Sequence, residues 1–277
     1  MKEKHSKKLK YTLKTDTLFK LLFTKYPHLL KKLVAQLLKI PLSSITKFVI
    51  KNTEMPPEVV GNKFCRLDIH MTVNDKEVSL EVQVEDEGDY TIRSEYMWAR
   101  LFSNSLPAGG DYMNLPRTIV VSILDFTLFH DSDDFFSEFV TLEVNRHTPL
   151  SDKKALYFFE LTKLPKKIGK DNKLLLWLAL FKANTEEELK IIAEMGVPEL
   201  REAVAAYHSV TASPEFQELE RMRDKARHDE ASALRNAQKK KAILIARNML
   251  AEGEPVDKVM RYTGLTRTEV EKLRDAT

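Results

Sequence analysis

Between Phe64 and Val84 the chain alternates apolar and polar residues with the period of a β-strand, and does so twice. FCRLDIHMTV puts Cys65, Leu67, Ile69, Met71 and Val73 on one face and Arg66, Asp68, His70 and Thr72 on the other. VSLEVQV continues the apolar face with Val78, Leu80, Val82 and Val84 and the polar face with Ser79, Glu81 and Gln83. A two-residue loop at Asn74-Asp75 lets the two apolar faces coincide. The same register sets Asp68 opposite Glu81 and Arg66 opposite Gln83.

Helical spacing brackets this hairpin. Asp16 can cap a helix carrying Leu18, Phe19, Leu21 and Leu22, with Thr15 as the competing cap. Pro27 interrupts it and opens a second helix, whose stripe Leu29, Leu30, Leu33, Val34, Leu37, Leu38 stops before Pro41. A strand is predicted at 46–51. Beyond the hairpin, TIRSEYMWARLFSNSL reads as a helix with Arg93, Tyr96 and Arg100 on one side. Arg117 to Phe126 is nearly continuously apolar, as in a strand buried on both faces, and 135–144 and 155–164 read as two further strands, edge ones. From Lys173 the pattern is helical. Thr185 with Glu188, and Thr266 with Glu269, match capping boxes, and 213–248 is a long charge-rich helix. KKKAILIARNMLAEG, EPVDKVMRYTG and LTRTEVEKLRD read as three short helices, and the Tyr262 to Thr266 turn has the geometry of a helix-turn-helix. A helical tail that packs on another surface accounts for the same pattern, because the last helix is mixed in charge rather than basic.

Composition narrows the class. The 277 residues are 43% apolar, enough for a sizeable core, and a formal charge of +3 says little about partners. Charge is concentrated at residues 1–14, where six lysines accompany one acid, as in a frayed terminus or an arm for an anionic polymer. The single cysteine, Cys65, excludes an intramolecular disulfide and fits a reducing compartment. No signal-peptide pattern and no run of eighteen apolar residues is present, so a cytoplasmic protein without a membrane span is expected. The seven histidines have no zinc-site spacing.

Two carboxylates facing each other across a hairpin repel. A solvated polar face accounts for them in one way; a divalent cation between them accounts for them in another, since hard cations take oxygen ligands.

The order of these elements, with Asp16-Thr-Leu-Phe-Lys-Leu-Leu-Phe, Asn52-x-Glu54, Asp68, Leu80-Glu-Val-Gln83, Arg93-Ser-Glu-Tyr-Met-Trp-Ala-Arg and the helical tail, resembles the PD-(D/E)XK nucleases. Within them it is most similar to the bacterial branch described as nuclease family transposases or recombination-promoting nucleases. The resemblance covers nearly the whole chain. It implies an α/β fold: a restriction-endonuclease-like core, a mixed sheet flanked by helices, with an α-helical C-terminal region. It further implies a Mg²⁺- or Mn²⁺-dependent DNA endonuclease, with the metal held by Asp68 and Glu81 together with the Val82 carbonyl. Asp16 is the candidate additional acid, ahead of Glu54. Gln83 stands where the superfamily usually has a lysine, and it orients water without supplying charge. Lys63 or Arg66 is then expected to supply that charge, and Lys63, Arg66, Arg93 and Arg100 are the candidate contacts to nucleic acid.

The expected division is a basic arm at 1–15, a nuclease-like domain at 16–165, a helical region at 170–235 and a small helical tail at 236–277. DNA is the expected partner, and the C-terminal helices are a candidate homo-oligomer contact. A nuclease-like DNA-binding or assembly protein without catalysis is the alternative that Gln83 leaves open.

Overall fold

The computed structural model describes residues 7–51, 54–55 and 65–275. It contains two compact units, Met1–Phe216 and Gln217–Thr277. The first unit begins with α1 (Asp16–Lys25), α2 (Pro27–Leu37), β1 (Phe48–Lys51), β2 (Glu54–Met55), β3 (Cys65–Arg66), β4 (Ile69–Val73) and β5 (Lys76–Gln83). It continues with α3 (Tyr90–Ser103), β6 (Arg117–Leu124), β7 (Phe136–Phe139), β8 (Lys154–Glu160), α4 (Lys173–Lys182), α5 (Glu186–Glu194) and α6 (Pro198–Thr211).

Six strands form one mixed sheet in the order β1-β4-β5-β6-β8-β7, and β2 pairs with β3 apart from it. β5, β6 and β8 run parallel; the other neighbours are antiparallel. Period two divides the sheet's side chains between two cores. Met71, Leu80, Val121 and Phe159 face the side packed with apolar residues of α1, α2 and α4 to α6, whereas Val120, Leu124, Leu156 and Phe158 meet Tyr90, Met97 and Leu101 of α3. The strand expected to be buried on both faces is β6, central and parallel. Six residues of α4, from Leu175 to Phe181, are buried around its circumference, so this helix lies inside the core rather than on it.

The hairpin has the expected loop and register, from Ile69 opposite Leu80 to Val73 opposite Lys76. Asn74 takes φ +57°, and its side-chain oxygen accepts from the amides of Thr46 and Lys47 at 2.9 and 3.1 Å. The long first strand, however, breaks at Leu67-Asp68. β3 leaves the sheet to pair with β2, setting Arg66 opposite Glu54 instead of Gln83. Leu67 turns into the α3-side core, away from the face of Ile69 and Met71. At the break the Asp68 carboxylate takes the Val82 amide, across the hairpin, at 2.9 Å.

Other expectations shift too. Thr15 is the N-cap of α1 and Asp16 its first helical residue. Of the two strands expected at the edge, β7 alone is one, and it is short; β8 lies between β6 and β7. Lys8 bridges to Thr185, and Leu9 and Leu13 are buried, so the basic N-terminal stretch joins the core from there on.

The second unit comprises most of α7 (Pro214–Ala251), with α8 (Val256–Thr263) and α9 (Arg267–Arg274). The helix expected to begin near Lys239 is the end of α7, because no glycine or proline interrupts the chain between Pro214 and Gly253. Ala246, Val259, Leu265 and Val270 form a small core. Gly264, at φ +70°, ends α8, and Thr266 and Glu269 form both bonds of a capping box at α9. Among the described residues no helix is long and apolar enough to cross a membrane.

Candidate active site

Glu81 lies two residues from the end of β5, on the polar side of its alternation. That side does not face water: α3 covers it, leaving Ser79 and Glu81 0% and 2% exposed. Ser79 donates its hydroxyl to Glu81 Oε1, and Ser122 of β6 stands beside Glu81 in the parallel ladder and accepts from the Tyr90 hydroxyl at 2.9 Å. A carboxylate in such a place resists ionisation. Burial first, and then the neighbouring Asp68, push Glu81 up to about 8. Tyr90, buried and close to Glu81, is also raised.

Asp68, at the strand break, meets this carboxylate. Its amide donates towards both oxygens of Glu81, at 3.4 and 3.3 Å, while its own Oδ2 accepts from Val82 N–H. Oδ1 faces Lys20 of α1, whose Nζ is 3.2 Å away. The same ammonium is 2.6 Å from Asp16 Oδ1, one helical turn earlier. Burial raises Asp68, and Lys20 and the Val82 amide oppose that rise without cancelling it.

Asp16, Asp68 and Glu81 are thus brought together, through Lys20 and the main chain. Lys20 is not among the residues the strand pattern singles out; its i,i+4 spacing from Asp16 is the signal in the sequence that points to it. Gln83 lies two positions beyond Glu81, half-buried, and its main-chain carbonyl accepts from the Asp125 main-chain amide at 2.9 Å. Asp125 in turn pairs with Lys14 at 2.7 Å. On α3, Arg93 is 3.2 Å from Glu87 and lies over the Tyr90 ring, and Arg100 follows two turns on. Lys63 lies outside the described residues. Arg66 and Glu54 are placed here by their main-chain pairing alone.

Among the described residues no group of three or more His, Cys, Asp or Glu is arranged to enclose a metal ion. The donors nonetheless suit a hard cation: two carboxylates stand together, Glu81 buried and Asp68 partly so, with Lys20 as the ammonium beside them. Mg²⁺ is often held by one or two protein carboxylates, with waters and substrate phosphate completing the shell.

A model of the PD-(D/E)XK nuclease family transposases matches residues 13–237, and one of the Rpn/YhgA-like nuclease family C-terminal HTH domain matches residues 239–275. No curated protein and no solved structure matches the chain. The mixed sheet, its flanking helices and a family match running from the turn before α1 into α7 agree, and this chain belongs to the PD-(D/E)XK nuclease family transposases.

Proposed function

We propose that the protein cleaves DNA phosphodiester bonds with a divalent cation, Mg²⁺ or Mn²⁺, held by Asp68 and Glu81, in the service of recombination, transposition or defence against foreign DNA. One observation carries this reading: a buried carboxylate on the central strand and a second on the adjoining strand break lie in contact through their main chains, at a repulsion that a bound cation would relieve. When bound, such a cation activates a water for attack and offsets charge on the phosphate.

The chain's own residues do the rest. Asp68 is aimed by the Val82 amide and Glu81 by the Ser79 hydroxyl, so neither carboxylate has to search for its position. α3 keeps water from the back of Glu81, which strengthens every charge interaction in front of it. Gln83, on the same strand face, offers an amide that can orient a water through hydrogen bonds. Asp16 adds a carboxylate behind Lys20. The helix-turn-helix of the second unit supplies a second surface for DNA, holding the substrate independently of the cleavage chemistry.

Cleavage of supercoiled plasmid with Mg²⁺ or Mn²⁺ tests the proposal, with the parent beside Asp68→Ala and Glu81→Ala. Nicking or linearisation by the parent, lost by at least about 100-fold in both variants at unchanged folding, is the expected result. Binding of DNA by all three with no cutting under either metal would instead establish the DNA-binding alternative that Gln83 leaves open.

A further inference from the structure

We propose that Lys20, on α1, is the catalytic cation of this site: its ammonium meets the scissile phosphate beside Asp68, supplying the charge that Gln83 on β5 cannot. This rests on the metal-dependent cleavage proposed above and deepens it.

The geometry assigns the role residue by residue. Leu18, Phe19, Leu22 and Phe23 are buried and fix α1 against the core, which leaves Asp16 and Lys20 on the helix face turned to the strand break. The side chain of Lys20 is 24% exposed, partly stripped of water and partly in contact with it. It stands 3.2 Å from Asp68 Oδ1, the oxygen that the Val82 amide does not use. Lys14 pairs with Asp125 at 2.7 Å and Arg93 with Glu87 at 3.2 Å, whereas both partners of Lys20, Asp16 at 2.6 Å and Asp68 at 3.2 Å, are acids of the site itself. Among the described residues, Lys20 is the cation in contact with the carboxylate pair.

A glutamine has donors but no charge, and a phosphate gathering negative charge during in-line displacement is stabilised far more by a preorganised cation than by a neutral amide. An ammonium on a flexible stem suits the task. It can rest on Asp68 in the free protein and turn to the phosphate when substrate and metal enter. Lys20 also competes with the metal for Asp68 Oδ1, and this separates a catalytic cation from a structural ion pair. A lysine that merely pins α1 to the hairpin would, once removed, loosen Asp68 and weaken metal binding.

The experiment compares the full-length parent with Lys20→Met, Gln83→Lys, the double variant Lys20→Met/Gln83→Lys, and Asp68→Ala. Plasmid nicking with Mn²⁺, Mn²⁺ affinity by calorimetry and thermal melting are read in each. For Lys20→Met the expected result is a loss of nicking of about 100-fold or more, with Mn²⁺ bound as tightly as by the parent or several-fold tighter. Moving a lysine to position 83 should recover at least about tenfold of that loss, which a purely structural role would not permit. Nicking by Lys20→Met within about threefold of the parent, or loss of Mn²⁺ binding in step with nicking, overturns the assignment. So does a double variant no better than Lys20→Met while Gln83→Lys alone still cuts. If Asp68→Ala binds Mn²⁺ like the parent, or the parent does not nick, the cleavage reading itself fails and the role of Lys20 falls with it.

Discussion

Asp68 and Glu81 hold each other through the main chain: the Asp68 amide points at both Glu81 oxygens, and the Asp68 carboxylate takes the amide of Val82, the residue after Glu81. Neither acid can be moved without disturbing the other. The burial of Glu81 beside Asp68 sets up a repulsion that the fold relieves by keeping a proton on Glu81.

That repulsion has a pH signature. The Glu81 carboxyl titrates near its ordinary 4.5 in the unfolded chain and near about 8 in the fold. Between those values the folded state holds the extra proton, so stability of the metal-free protein falls as pH rises from 4.5 to 8. Melting in chelator at pH 5 and pH 8 should show this drop, and Glu81→Gln should flatten it. Added Mn²⁺ should raise the melting temperature of the parent at pH 8 and leave Glu81→Gln nearly unmoved.

Glu77, at the other end of β5, behaves in the opposite sense. Burial pulls its pKa upwards, but hydrogen bonds from His70 at 2.7 Å, Lys51 at 2.6 Å and Thr72 at 2.9 Å more than offset this and hold it at about 2. Its contribution is therefore complete above about 4.5 and is lost as pH falls towards 2. Glu77→Gln should cost about 2 kcal/mol at pH 7, allowing for the partly exposed Lys51, and almost nothing near pH 2. Urea titrations at the two pH values measure the difference.

Asn74 combines a left-handed backbone with a side chain that takes two amides and donates to the Ser44 carbonyl at 2.8 Å. Asn74→Gly keeps the backbone and loses the bonds; Asn74→Ala loses both. The order of stability should be parent, glycine, alanine, with the alanine variant about 2 kcal/mol below the parent by chemical denaturation.

Val259 and Val270 are wholly buried in the small core of the second unit. A charge there has no partner, so Val270→Asp should unfold that unit. Gel-shift affinity for duplex DNA is expected to drop by at least about tenfold, while Mn²⁺ binding at Asp68 and Glu81 persists. An unchanged gel shift would remove DNA binding from the helix-turn-helix.

Local pattern was enough for much of the chain. Period-two alternation with Asn74-Asp75 between its halves determined the hairpin's loop and its register, since a one-residue slip would invert every apolar side chain. Pro27 determined where α2 starts, and both capping boxes form because their bonds lie within four residues. The order of motifs determined the family, and the family the mixed sheet.

Tertiary structure decided what those signals cannot carry. A polar strand face has the same alternation under a helix as under water, so the burial of Ser79 and Glu81 became visible only with α3 in place. The break at Leu67-Asp68 goes with Asp68 taking the Val82 amide, a contact across the hairpin. Lys20 and Asp68 are 48 positions apart in sequence, and nothing in the spacing of either segment joins them. The packing of α1 against the core brings Lys20 to the break, because helix placement is set by the summed burial of apolar side chains rather than by any local rule.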